Sequence, residues 1–349
     1  MEETGEAFLA EGQERYGGQD AAREARRHFS RLGGMFFLGT VAVFAVQIAV
    51  SILVQFLKPE WLYNADISLT ISMVPMYLIG MPILILLVRR VPAETVQRHS
   101  IKAGHFVLGA MMCFALAYTA NIAGLILTAL IGMLKGSAVG NPIVNLMEPT
   151  SGWALTLYVV ICAPVMEEYV FRKLIVDRAV RYGEGIAVVL SGLMFGLFHG
   201  NLNQFAYAFV IGVFLAFLYV KTGNLKVTIA IHMIINFMSG VVTMYLVKKI
   251  DLDRYMQVAA DGDVNEMMAY MQDNMGGLAL YGIYMLFIVG VTIAGVVLVI
   301  VNLVKKRFSF ARGTAGIPKG KKFGTAVLNV GMILYVGLWL GMIIWQLVE

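Results

Sequence analysis

The sequence predicts an all-α, polytopic transmembrane helical bundle of about 8–9 membrane helices. Three observations carry that expectation. Of 349 residues, 59% are hydrophobic and only 14% charged, the balance of a membrane protein rather than a water-soluble domain. Apolar runs of bilayer-spanning length recur along the whole chain. Those runs are too long for barrel strands and show no period-2 alternation, so closed strands are excluded.

Residues 1–34 are polar, acidic first and then basic at Arg23, Arg26, Arg27 and Arg31. They are expected to form a cytoplasmic tail, in part as an interfacial helix. The first apolar run starts at Met35 and lacks a small-residue cleavage site, so it reads as an anchor and not as a removable signal peptide. N-terminal membrane helices are expected within 35–150, at 35–57, 67–88 and 105–134. A core of four helices should fill 151–247, at 153–175, 185–199, 204–220 and 227–247. An acidic external loop follows at 248–277, where Met256, Met267, Met268 and Met271 mark a short amphipathic helix. C-terminal membrane helices close the chain within 278–349, at 278–304 and 325–347. Cys113 and Cys162 both lie in apolar runs, which excludes a disulfide framework and a cysteine metal box.

The net charge of +5 implies no nucleic-acid partner, because its distribution sets orientation instead. A cytoplasmic N-terminus puts 22 of the 27 Lys and Arg on the cytoplasmic side. Only Lys58, Lys135, Lys248, Lys249 and Arg254 then face outward, and the C-terminus lies outside.

Ionisable groups inside the apolar runs are the chemical signal. Glu167, Glu168 and Arg172 interrupt the run 153–175, and each charge at a bilayer centre costs roughly 2.5 to 3.5 kcal/mol on insertion scales. Glu168 and Arg172 are spaced i,i+4, the favoured order for a pair on one helix face. Glu167 points about 100° away at 3.6 residues per turn and is free for other work. Phe195 and His199 share one helix face, and His232 and Asn236 share another. A buried salt-bridge network that only fixes helix packing would also place such charges in a membrane, but it would leave Glu167 without a neutralising partner. A lone membrane histidine is more often a packing hydrogen bond than a catalyst. Two of them beside a glutamate pair favour chemistry.

Two runs, 185–199 and 204–220, fall short of the roughly 20 residues a span requires. Between them lies the polar stretch His199-Gly200-Asn201-Leu202-Asn203-Gln204, the kind of interruption that lines a cavity. At ~1.5 Å per residue, Glu167 and His199 converge in depth, whereas His232 reaches their level only if the Thr222-Gly223-Asn224 turn dips inward. The stripe Gly192, Gly196, Gly200 is expected to let the His199 helix approach the Glu167 helix. Gly337 and Gly341 read as packing alone.

The set Glu167-Glu168-x-x-x-Arg172, Phe195-x-x-x-His199 and His232-x-x-x-Asn236 resembles the signature of the CAAX protease and bacteriocin-processing family. These are intramembrane proteases related to the endoprotease that trims prenylated CAAX proteins. The resemblance covers roughly residues 150–240. It implies that Glu167 and His199 activate the attacking water and that His232 and Asn236 stabilise the oxyanion. Glu168, Arg172 and Phe195 would support them. Amide hydrolysis needs such a base, a proton donor for the leaving nitrogen and oxyanion donors, and neither Ser191 nor Ser239 has a triad relay. The water-filled opening is expected on the cytoplasmic side.

Members of that family are commonly called metalloproteases. The resemblance therefore raises zinc, with Glu167, His199 and His232 as the two-His-one-Glu set. His28, His99 and His105 lie outside the apolar core, and a His232 that donates to an oxyanion cannot ligate through the same nitrogen. Metal-free activation of water by glutamate and histidine is the favoured expectation, with zinc as the alternative. The expected partners are the lipid bilayer and a membrane-associated peptide or protein substrate. The sequence does not indicate an oligomeric state. A non-proteolytic scaffold or bacteriocin-immunity protein is the competing function. A proton-coupled transporter ranks below it, because no repeat symmetry relates the two halves.

Overall fold

The computed structural model describes residues 2–315, 317 and 320–348, with side chains from residue 20 onward apart from residue 253. Apart from one isolated pairing of Gly183 with Arg312, its regular elements among the described residues are helices. They are α1 (Glu2–Leu57), α2 (Ala65–Val88), α3 (Ala103–Lys135), α4 (Gly152–Tyr182), α5 (Glu184–Phe198), α6 (Leu202–Thr222) and α7 (Leu225–Lys249). After these come α8 (Leu252–Asp261), α9 (Val264–Asp273), α10 (Met275–Val304), α11 (Lys322–Val327) and α12 (Val330–Val348). Among the described residues eight helices are long and apolar enough to cross a membrane, and α5 is a shorter apolar helix beside them. The chain is a multi-pass, all-helical membrane protein.

Three sequence expectations change. Residues 20–34 do not form a free tail. They continue α1 and bury Ala25, Phe29 and Leu32 completely, with the Phe29 ring 4.9 Å from that of Tyr182. Their apolar residues at helical spacing were obscured by four arginines on the other face. Of the two short runs, only α5 remains short, at 15 residues. α6 reaches 21 because Asn201 caps it at Gln204 and polar residues fill its first turn. The last span is broken at Asn329, whose side-chain oxygen accepts from Met332 N at 3.1 Å and starts α12 afresh.

Loops sort to two ends. At one, Glu94 N donates to Asp177 O (2.6 Å), His99 N to Thr222 O (2.7 Å) and Arg178 Nε to Val88 O (2.9 Å). Arg178 O also meets His28 Nε2 at 2.8 Å. These contacts gather the N-terminal stretch, 89–102, 177–184 and 221–226 into one basic cluster. At the other end, Ser151 N donates to Asp66 Oδ1 (2.8 Å) and Lys248 Nζ to Thr150 O (3.3 Å).

Candidate active site

The site is built on α4, and a proline shapes it. Residues Leu155–Cys162 and Glu168–Val176 wind as wide π-helical turns, a rare geometry that recurs at functional sites. In the first of these, Ala163 N–H reaches back five residues to Tyr158 O. The next donor in that ladder would serve Val159 O, but residue 164 is proline and has no N–H. Val159 O is instead taken by Asn236 Nδ2 of α7, at 2.9 Å. A missing backbone donor on one helix thus anchors a side chain from another.

One turn further on stand the charges. Glu168 and Arg172 are both fully buried, with Nε and Oε2 3.0 Å apart. Those two atoms approach without an aligned hydrogen bond, and Arg172 Nη1 and Nη2 are buried without partners among the described residues. The guanidinium lies over the Phe195 ring, 4.4 Å from its centroid, which supplies a desolvated cation–π contact. Glu168 Oε1 lies 2.9 Å from His232 Nδ1. An ionised carboxylate only accepts, so the ring proton sits on Nδ1 and His232 Nε2 is turned toward Glu167, 3.7 Å from its Oε2. Glu167 itself has no hydrogen bond among the described residues, and its side chain is 17% exposed where that of Glu168 is 0%. The adjacent carboxylates are therefore different groups. One is locked in a buried chain of contacts and the other is open.

His199 comes from the C-terminal end of α5. Its Nδ1 lies 3.0 Å from Phe195 O, an acceptor, so this ring too carries its proton on Nδ1. Phe195 meets both imidazoles edge-on, with centroids 4.9 Å from His199 and 5.8 Å from His232. It is the spacer that holds the two rings and Arg172 in fixed relation. The structure thus gathers Arg172, His199 and His232 around the Phe195 ring, with Glu167 and Glu168 against His232 and Asn236 one turn along α7.

The glycine stripe works differently from its expectation. Gly192 and Gly196 admit α6, not α4. A Cβ on either would fall 2.5–3.0 Å from Val213 or Phe209. Gly337 and Gly341 have open space around them, and the close crossing of the terminal helices runs through Gly33 and Gly331. At Gly331 a Cβ would overlap Ser30 O at 1.8 Å. Ser191 Oγ and Ser239 Oγ each donate to a backbone carbonyl, at 2.7 and 2.8 Å, and neither meets a histidine among the described residues.

Sequence reasoning missed α12 as a wall of the site. Trp339 packs on Gly200 and meets Phe198 at a tilt, with ring centroids 5.1 Å apart, while Tyr335 OH donates to Met194 O at 2.8 Å. Gln346 Oε1 accepts from Leu202 N (3.2 Å) and its Nε2 donates to Gly140 O (3.1 Å). The available signal was Gln346 itself, the lone amide in the stretch 330–348. These contacts tie the His199 loop to the loop after α3, at the end of the bundle away from the basic cluster. They give no support to an opening on the basic side.

Zinc fits poorly in this arrangement. Among the described residues no group of three His, Cys, Asp or Glu side chains stands close enough to hold a metal ion. Glu167, His199 and His232 therefore do not present a tetrahedral set. What the two histidines do share is a tautomer, each with its Nδ1–H held by an acceptor, which leaves Nε2 as the nitrogen with a lone pair.

Comparison with known proteins follows the same residues. Residues 149–238 match the family model of type II CAAX prenyl endopeptidases, Rce1-like. The chain is 28% identical over 162 residues to YdiL of Bacillus subtilis (strain 168), which carries the name of a membrane peptidase; that covers 44% of this chain and 64% of YdiL. It is 37% identical over 86 residues to the membrane-embedded CAAX protease MroQ of Staphylococcus aureus (strain USA300), covering 23% of this chain and 35% of MroQ. The chain thus spans less than two thirds of either relative's length. No solved structure matches it. The segment 149–238, which carries the Glu-Glu, Phe-His and His-Asn motifs, is thus the part of the chain that is similar to CAAX-type membrane proteases.

Proposed function

We propose that the protein is an intramembrane endopeptidase that hydrolyses a peptide bond in a membrane-associated protein or peptide. The observation that carries the reading is the division of labour between neighbouring carboxylates. Glu168 is sealed between His232 Nδ1 and Arg172, and Glu167 is left open against His232 Nε2. In this reading Glu167 takes a proton from water, whose oxygen attacks the scissile carbonyl carbon. His199 Nε2, a free lone pair, accepts the second hydrogen bond of that water and aims it. Asn236 has two amide hydrogens, and the one not given to Val159 O is available to the oxyanion. His232 can join it only as the doubly protonated ring, since its Nδ1–H is already given to Glu168. The proton held by Glu167 then passes to the leaving nitrogen as the C–N bond breaks.

The test is cleavage of a library of membrane-anchored peptides by the reconstituted protein, read by mass spectrometry. Glu167→Gln should fold as the wild type does and lose at least about 10²-fold in rate, the lower range for general acid–base catalysis. Wild-type turnover in Glu167→Gln, or no cleavage by the wild type in any arm, removes the reading in favour of a scaffold or transporter. A chelator arm divides the chemistry. Activity unaffected by chelation assigns water activation to Glu167 and His199. Activity lost and restored by zinc alone assigns it to a metal on Glu167, His199 and His232.

The basic cluster at one end supports an orientation with the N-terminus in the cytoplasm and the C-terminus outside. Single cysteines at positions 15 and 315 should then label only from the cytoplasmic side, and labelling of both from outside would reverse it.

A further inference from the structure

A cleft away from the candidate active site runs along the flank of α5, between its N-terminal half and residues 310–312 and 322–327. Its volume is about 330 Å³, with Ile186, Val189 and Leu193 on one wall, Phe310 and Phe323 on the other, and Arg312 and Lys322 among its lining residues. That volume is at the low end of the roughly 300–1,000 Å³ of small-molecule pockets, room for a single hydrocarbon chain. The walls are apolar yet open: Val189 is 49% exposed and Phe323 64%. They face outward from the bundle beside the basic end.

The far wall is stitched in place. Glu184 N donates to Ala311 O (3.2 Å), Ala311 N to Glu184 Oε2 (2.8 Å) and Ala315 N to Arg181 O (2.9 Å). The nearest acid is neutralised, since Glu184 Oε2 also pairs with Lys221 Nζ. Arg312 and Lys322 are both exposed and enter no ion pair among the described residues. A greasy slot at a membrane boundary with two unpaired cations has the chemistry of an amphiphile with an anionic head.

We propose that this cleft seats one anionic phospholipid, its acyl chain along Val189 and Leu193 and its phosphate between Arg312 and Lys322. A zwitterionic lipid would bring its own cation against the two basic residues, and a free phosphate would leave the apolar walls unfilled. The seat does not depend on the proteolytic reading. It does sit on α5, the helix whose other end carries His199.

Native mass spectrometry of the purified full chain, titrated with dioleoyl phosphatidylglycerol, dioleoyl phosphatidylcholine or inorganic phosphate, tests the seat. The wild type should retain phosphatidylglycerol about thirtyfold more tightly than phosphatidylcholine, the weight of two surface cations near an anionic head group. The double variant Arg312→Gln, Lys322→Gln should lose that preference. Val189→Trp, which fills the slot without touching charge, should weaken phosphatidylglycerol as well and stands in if the double variant fails to fold. Lys305→Gln with Lys306→Gln, cations outside the cleft, should keep the preference. Equal retention of the two lipids overturns the proposal, as does an equal loss from the Lys305 and Lys306 pair, which would mean a diffuse basic surface. Displacement of the lipid by inorganic phosphate at equal concentration overturns it too.

Discussion

Helix α4 carries two ion pairs at the same spacing in very different surroundings. Glu168 and Arg172 are i,i+4, 3.0 Å apart and wholly sealed, 0% exposed on both sides. Lys173 and Asp177, also i,i+4, are 2.6 Å apart with the lysine 33% exposed and the aspartate 7%. Asp177 is further served by Tyr219 OH at 3.0 Å. Spacing alone makes the two pairs equal. Position along the helix makes one a fixture of the interior and the other a boundary clasp that water can replace. A buried charge without its partner has no alternative solvation, whereas a boundary charge turns toward the head groups.

The sharpest way to break this contrast is Arg172→Ala. It leaves Glu168 charged and sealed, at a cost of about 3–5 kcal/mol, and folded protein extracted from membranes should fall severely. Pairing Glu168→Gln with Arg172→Met should recover abundance, since no uncompensated charge remains. A stable single variant at wild-type abundance would show that Glu168 has another counter-charge.

A smaller effect is expected at Pro164. Pro164→Ala supplies an N–H that competes with Asn236 for Val159 O. Folded abundance should hold while turnover falls several-fold, on the order of one hydrogen bond at ~0.5–1.5 kcal/mol. Asn236→Ala should lose at least as much, and the double variant should add little to it, because both changes act on the same contact. Additive losses would uncouple the proline from Asn236. The smallest effect belongs to the boundary pair: Lys173→Gln should shift thermal stability by less than ~1 kcal/mol. A collapse comparable with Arg172→Ala would erase the distinction between the two positions.

Much of this was legible in the sequence, and the reasons are physical. Hydrophobic run length gave the number of helices, because a bilayer fixes it. Six of the seven motif residues stood out because each is a polar group in an apolar helix, and of these Glu167, Glu168, Arg172 and His232 meet one another directly. The π-helical turns were not legible, since hydrophobic periodicity does not distinguish a locally widened turn from a regular one. Nor was the partner of the glycine stripe. Gly192 and Gly196 show that something approaches, and only tertiary packing shows that it is α6. The last helix carries no motif in the sequence, where Trp339 and Tyr335 look apolar, although each carries a polar atom buried in the fold.

The crossing of α1 and α12 has a consequence for biogenesis. Gly331 N donates to Ser30 Oγ across 301 residues of chain, so the first helix to enter the membrane meets this partner only when the last helix follows. Until then Gly33 and its neighbours face lipid, and the His199 loop lacks the Trp339 and Gln346 side chains that wall it. Assembly of this bundle therefore closes late, and a nascent chain halted after α10 would hold every motif residue while its His199 loop stood without support. A membrane surveillance protease would have a long interval in which to tell finished copies from unfinished ones.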